Sequence, residues 1–478
     1  MQSIWSMETK LPNPRPKPVP LKAQAVVIGA GLAGLLTAYT LQNQGIQVIV
    51  LEKDHIGSGQ TKNTTAKVTA QHGDLYHRLL AQHGEEKTAQ YAQANRQALE
   101  DYRRIITENK INCSWQEAPA AIYSETNKAA MEKEYLAQKK VGLPVCFGEE
   151  SQLPFPVAGL VTMEGQAHFQ PLEFLRFLGQ NLTVYENTQV WGAQGKMLET
   201  SQGDLQAEYL IFASHFPCLR LPGAYFARLH QERSYVLALA NAPCFSKMYL
   251  GCGGNGWSFR QAGEYLLFGG EGHRTGENST GGQYKKLAGQ AAAWWPHCRE
   301  AARWSAQDCI TLDGIPYIGQ FSRYRPNWYV ATGFGKWGMT TSMVAARIIT
   351  DSILGRKNET ALVFSPQRFS KTAAKSMLVQ GGKAAKSIAR QLIVPPKGAV
   401  EELPLGSGGI VQWQGKKAGV YKDMAGQVFV VEAKCPHMGC QLEWNPEEKT
   451  WDCPCHGSRF DQYGALLEGP AARGCSNE

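Results

Sequence analysis

Two short runs near the C-terminus carry residue types and spacing that bind metal. Cys435-Pro436-His437 and Cys453-Pro454-Cys455-His456 are separated by fifteen residues, and each run offers a thiol and an imidazole. Two Cys and two His suit a structural zinc site, although zinc generally pairs Cys with Cys and His with His. Mixed loops suit better an iron–sulfur centre with two thiolates on one iron and two imidazoles on the other. Both irons of such a centre are fully ligated, so it carries electrons and leaves no position for substrate. Exposed imidazoles would couple the electron to a proton, because histidine titrates near neutrality.

A second constellation lies near the N-terminus. Gly29-Ala30-Gly31-Leu32-Ala33-Gly34 follows the apolar run 24–29, opens the helical run 35–44 and precedes Glu52 at the end of the run 47–52. Strand, glycine turn, helix and acidic strand end together make the dinucleotide fingerprint. Gly29 permits the tight turn, Gly31 lets the pyrophosphate approach the backbone, and Gly34 lets helix and sheet pack closely. The helix N-terminus then offers unpaired N–H groups to the pyrophosphate, and Glu52 accepts from the adenosine ribose. NAD and FAD share this pattern.

The surrounding chain must position both sites. Its 478 residues exceed one ordinary core, so two or three domains are expected. Hydrophobic residues make up 43% and charged residues 19%, as in a globular protein. The net charge of +8 is dispersed except over 371–390, which argues against nucleic acid as partner. No run reads as a transmembrane helix, and the N-terminus lacks a signal-peptide core and a twin-arginine pair, so a cytoplasmic location is expected. Residues 1–22, proline-rich and polar, read as a flexible lead. Strand-like runs 184–192, 207–214 and 327–335, a helical run 75–109 and the amphipathic run 339–354 follow. From about residue 398 β-alternation begins a separate small unit.

CPHMGC (435–440) and CPCHGS (453–458) closely resemble the two loops of Rieske proteins from cytochrome bc-type complexes. The resemblance implies a [2Fe–2S] cluster on Cys435, His437, Cys453 and His456, and a disulfide between Cys440 and Cys455. Gly469-Pro470-Ala471 matches that family's proline loop. Ser458, whose hydroxyl reaches a bridging sulfide in the family, is retained, but Phe460 stands where high-potential members carry Tyr. One hydrogen bond fewer to cluster sulfur implies a lower potential than in respiratory Rieske proteins.

The segments 57–73, 313–319 and 333–353 resemble the D-amino-acid oxidase-like superfamily of FAD oxidoreductases, over roughly residues 23–366. This implies an α/β plus all-β chain: a Rossmann-like FAD-binding domain with an inserted α+β substrate domain, followed by a small Rieske β-sandwich. The expected FAD pieces are 23–73, 155–220 and 305–366, the substrate domain 74–154 and 221–304, a basic linker 367–397, and the Rieske domain 398–478. Lys53, Gly59, Thr61, Thr65, Val190, Gly335, Gly338 and Met339 join Gly29, Ala30, Gly31, Gly34 and Glu52 as expected FAD contacts.

In D-amino-acid oxidase relatives an Arg five residues before the DG motif clamps the substrate carboxylate; here that place holds Asp308. An acidic group there favours a cationic amine, or else caps a turn or pairs with a nearby Arg. Lys67 and His72, just after the second FAD loop, and Lys336, beside Trp337 on the flavin-side turn, complete the expected catalytic set. Arg260, His273 and Arg274 are weaker candidates. The expected activity is a dehydrogenase for a small amine or amino-acid-like substrate, passing electrons singly to an acceptor protein or quinone. Rivals are a reductase or monooxygenase component running in reverse, and a redox sensor. The segment with Lys371, Lys375, Lys383, Lys386 and Arg390 could touch an anionic membrane, or serve as a solvated linker. The end of the chain, past the proline loop, reads as irregular.

Overall fold

The computed structural model describes residues 2–12, 17–217, 219, 222–254, 256–368, 395–396 and 398–476, with isolated positions from 377 to 389. The elements that build the sites are, in chain order, strands Lys22–Ile28 (β1), Val48–Leu51 (β2), Lys67–Val68 (β3), Gly203–Phe212 (β4), Leu229–Ala240 (β5), Tyr265–Arg274 (β6), Arg299–Thr311 (β7) and Arg325–Thr332 (β8). The helices concerned are Ile4–Glu8 (α1), Leu32–Asn43 (α2), Tyr76–Glu108 (α3) and Gly338–Ile353 (α4).

β2, β1, β4 and β8 lie side by side and parallel, with Ala25 opposite both Val48 and Tyr209 and with Leu210 opposite Trp328. Their apolar runs are nearly continuous because both faces are covered. Ala25 and Val27 join the core under α2 and α4, whereas Val26 and Ile28 join a second core with Phe212, Phe321 and Val330. α3 packs on α4 and bends at Gly84, where φ is 78°.

A second sheet of eight strands contains β7, β5 and β6 as neighbours, all antiparallel, with Glu232 opposite Asp308. The assignment of 155–220 to the flavin piece needs correction, because Gly159–Met163 pairs within this second sheet. The C-terminal unit has an antiparallel three-stranded sheet, Ser407–Trp413, Lys416–Lys422 and Val428–Glu432. A four-stranded sheet follows, Glu443–Asn445, Thr450–Asp452, Arg459–Asp461 and Leu466–Glu468.

Two expectations about the termini are overturned. The lead is not a loose tail: Ile4 and Trp5 are buried, and Trp5 Nε1 donates to the Thr64 carbonyl at 2.7 Å. Nor is the end irregular: Glu432 N donates to Cys475 O at 2.8 Å, Val431 bridges to Ser476, and Cys475 is buried. The basic side chains Lys371, Lys375, Lys383, Lys386 and Arg390 lie outside the described residues. Among the described residues no helix is long and apolar enough to cross a membrane.

Candidate functional site

The glycine turn between β1 and α2 behaves as its spacing predicts. Gly29 has φ 109°, and a Cβ there would come within 2.7 Å of the Ala213 carbonyl oxygen. A Cβ on Gly34 would overlap the Gly29 carbonyl oxygen, so α2 can pack on the turn only with glycine there. Leu32 N donates to Thr61 Oγ1 at 3.0 Å, and a Cβ on Gly31 would lie 3.4 Å from that hydroxyl. Glu52 accepts from Ala30 N at 2.7 Å and Asp54 N at 3.0 Å, and burial pushes its carboxyl above the usual range. The bare Gly31, the helix N-terminus and the Thr61 hydroxyl form a cradle that suits a pyrophosphate. Substituting Gly34→Ala is therefore expected to remove most bound FAD. Flavin absorbance of the purified variant checks this, and full FAD retention with an intact cluster spectrum would overturn it.

The two cysteine loops share one backbone design. Gly439 N donates to Cys435 O at 3.0 Å, and Gly457 N to Cys453 O at 2.9 Å; φ is 78° and 79° at the two glycines. Cys435 N and Cys453 N each close the loop at 2.8 Å on the carbonyls of Cys440 and Ser458. The thiols of Cys435 and Cys453 lie next to each other, and the rings of His437 and His456 lie 4.9 Å apart at 90°. Among the described residues His456 Nδ1 is buried with no hydrogen-bond partner. A buried nitrogen of this kind suits a metal ligand. Cys440 and Cys455 form the disulfide that joins the loops. Their sulfurs are thereby committed, although they crowd Cys453 closely enough to resemble a three-thiol site. Ser458 Oγ accepts from Ala471 N at 2.9 Å, tying in the proline loop.

Residues 24–352 match the family model of FAD dependent oxidoreductases, and residues 395–477 match that of the Rieske [2Fe-2S] domain. The chain belongs to the FAD dependent oxidoreductase family. It carries a C-terminal Rieske domain, and its cofactors are FAD and a [2Fe–2S] cluster. The Rieske 2Fe-2S iron-sulfur protein YhfW of Bacillus subtilis (strain 168) is 33% identical over 491 residues, covering 99% of this chain and 96% of that one. Cytochrome b6-f complex iron-sulfur subunit 2 of Trichormus variabilis is 51% identical over 39 residues, 8% of this chain and 22% of its own. Glycine oxidase from Geobacillus kaustophilus has a similar fold, with TM-score 0.62 and 18% identity over 73% of this chain and all of that one.

Around the 333–339 turn the expected residues separate. Gly335, with φ 54°, donates its N–H to Cys309 O at 2.8 Å; Gly338 begins α4, and the Met339 carbonyl accepts from Tyr102 Oη at 2.8 Å. Val190 packs with Val26 and Leu51 near Glu52, Lys53 pairs with exposed Asp54 at 3.3 Å, and Gly59 opens the short helix that carries Thr61. The Thr65 carbonyl is taken by buried Arg260, which also meets His168 Nδ1 at 2.9 Å. Lys67 Nζ donates to Tyr249 O at 2.7 Å and to Ser258 Oγ; burial, with Arg260 adding, brings its pKa down to about 7.

His72 departs from its expected catalytic place. One ring nitrogen meets Tyr91 Oη at 2.6 Å and the other Thr69 O at 2.9 Å, while its ring stacks on Trp337 at 4.5 Å. Burial drives its pKa down to about 3, so it is neutral and braces Trp337. The imidazoles at the cluster depart from expectation too. His437 and His456 are 5% and 7% exposed, and Phe226 of the oxidoreductase domain lies edge-on to both rings at 6.2 and 6.0 Å.

The second cluster loop rests on β5, β6 and β7, a contact that sequence reasoning missed. Gln231 Nε2 donates to His456 O at 2.7 Å and Gly469 O at 3.1 Å, and Gln307 Nε2 to Gly457 O at 2.9 Å. Arg274 donates to Pro454 O at 3.1 Å and Cys455 O at 3.0 Å, so it binds the cluster loop rather than substrate. Alternating Gln231-x-Arg233 opposite Gln307 was the available signal: polar side chains pointing one way on buried strands need partners.

Proposed function

We propose that this oxidoreductase oxidises the C–N bond of a small amine or amino-acid-like substrate and passes the electrons singly to an acceptor protein or quinone. Bound, the two groups supply two-electron oxidation next to nitrogen (at FAD) and one-electron carriage (at the cluster). Oxidation to an imine releases two electrons and two protons, so two one-electron acceptors are reduced per turnover.

The observation that carries this reading is the two-faced use of β5 and β7. Gln231 and Gln307 hold the cluster loop from one face, while Glu232 and Asp308 occupy the alternate positions of the same strands. The positive charge of Lys336, on the turn before α4, favours the ionised form of both carboxylates. The other cluster loop keeps Met438 exposed, leaving a route outward.

Asp308 anchors the cationic amine. Burial raises its pKa to about 6; Lys336 and Arg233 oppose that rise and Glu232, itself held low by His230, adds to it. Its charge is present above about pH 6 and lost below, so kcat/KM for an amine should fall as pH drops through that value. Losing a charge-assisted bond costs about 1.5–3 kcal/mol, so Asp308→Asn should cost about ten- to hundred-fold in kcat/KM and remove that acid limb. Anaerobic mixing with an amine panel, read by flavin bleaching and then by the reduced-cluster EPR signal, tests the whole route. No response to any amine or amino acid would sink it, and an unchanged Asp308→Asn profile would remove the anchor.

A further inference from the structure

Gln231 is 1% exposed and uses its whole hydrogen-bonding capacity at one junction. Both Nε2 protons go to cluster-side carbonyls, those of the ligand His456 and of Gly469 in the proline loop. Its Oε1 accepts from Gln307 Nε2 at 2.8 Å and meets His215 Nε2 at 3.2 Å. The amide has only this orientation, since flipped it would set its oxygen against two carbonyl oxygens.

The partners come from far apart in the chain. His215 follows β4 of the Rossmann-like sheet. Gln307 also accepts from Arg233 and Thr275, and its own N–H donates to Gln60 Oε1 at 2.8 Å in the second FAD loop. Gln60 Nε2 in turn donates to Glu468 Oε1 at 2.8 Å, next to Gly469. Contact is tight: a Cβ on Gly457 would come within 2.6 Å of Gln231 Cβ. A head that swings between partners would break this buried set at each excursion, leaving amides and carbonyls unpaired.

We propose that Gln231 is a positioning residue that holds the Rieske head in a single docked register on the oxidoreductase domain and tunes the cluster through the His456 carbonyl. The head is then a fixed carrier, and its electrons come from its own chain. That last step rests on the function proposed above, while the docking and the tuning do not.

The direction of tuning follows from charge. Two donors on the carbonyls beside the cluster favour its more negative, reduced form, so removing them lowers the midpoint potential. Gln231→Met keeps the length and removes both donors. In the full-length protein loaded with FAD and cluster, it should lower the midpoint in a redox titration and shift the g-values of the reduced cluster. Amide hydrogen exchange over 453–458 and 469–471 should speed up on the order of ten-fold.

All three readouts work with dithionite as reductant and need no substrate, so they stay informative if the amine panel fails. Native potential, native g-values and native exchange in Gln231→Met would overturn the proposal. Should that variant lose its iron, Gln307→Met decides by the same rule. It leaves the Gln231 donors in place but frees the Gly457 carbonyl, so loosened exchange and shifted g-values support the docked register and native values refute it.

Discussion

Replacing Cys453 with serine is expected to abolish the [2Fe–2S] cluster completely while leaving FAD bound. Cys453 and Cys435 are each 1% exposed, and their thiols lie next to each other. Serine keeps the loop bonds, which are backbone N–H to carbonyl, and the disulfide Cys440–Cys455. What it removes is the soft thiolate that iron requires, and a hydroxyl in that place remains protonated near neutral pH. The glycine turn and Glu52 belong to the Rossmann-like sheet, on a different part of the chain, so flavin absorbance persists. Iron and acid-labile sulfide should be lost, and the reduced-cluster EPR signal with them. Cys475→Ser is the matched control. Its thiol is also buried, and burial pushes its pKa up to about 12, yet it is no ligand, so the cluster should stay. An intact Rieske signal in Cys453→Ser, or its loss in Cys475→Ser, contradicts the ligand assignment.

The two cofactor sites were legible in the sequence because each is written in consecutive residues. Cys-Pro-His and Cys-Pro-Cys-His fix their chemistry by type and spacing, and the glycine turn carries its own signature, with Gly34 demanded by the Gly29 carbonyl five residues before it. Their relation to each other was not legible. Gln231 meets His456 across 225 positions of sequence, and no local pattern announces a partner at that distance. Exposure was equally hidden. His72 next to a cofactor loop reads the same whether its nitrogens face substrate or, as here, Tyr91 and Thr69. The lead misled for a related reason: its prolines masked Ile4 and Trp5, and the contacts of Trp5 lie far along the chain at Thr64 and Arg260. The basis of sheet assignment is similar, since Gly159–Met163 alternates no differently from a flavin-domain strand and is placed by its pairing alone.

The docked head should also be sensitive to one buried carboxylate. Glu448 receives Arg233 of the oxidoreductase domain at 2.6 Å and Arg459 of the Rieske domain at 3.2 Å, and Arg459 reaches Asp452 at 3.2 Å and Glu468 at 3.5 Å. The side chains of Arg233, Glu448 and Arg459 are 1%, 9% and 6% exposed. Removing Glu448 leaves Arg233 sharing Glu468, at 3.6 Å, with Arg459, two buried guanidiniums beside one more distant carboxylate. Breaking a buried pair from one side costs about 3–5 kcal/mol, so Glu448→Ala should lower the unfolding free energy by about that much. Because Arg233 and Arg459 lie on opposite sides of the interface, part of the cost falls on docking. Limited proteolysis between residues 398 and 478 should therefore accelerate before the flavin domain melts. Acid should mimic the variant. The two arginines and the Ser305 hydroxyl outweigh desolvation and hold the Glu448 pKa down at about 2, against an ordinary 4.5. A depressed carboxylate stabilises fully above its unfolded pKa, and that contribution is lost as pH falls from about 4.5 towards 2. Glu468 is held low by the same arginines and acts in the same direction. Acid titration of head release, followed by protease sensitivity, should show a loss over that window in the natural protein. In Glu448→Ala the acid-induced part should shrink, since the charge that protonation would remove is already gone. A variant as stable and as protease-resistant as the natural chain would mean that the arginines find other carboxylates, and that the ion network does not hold the head.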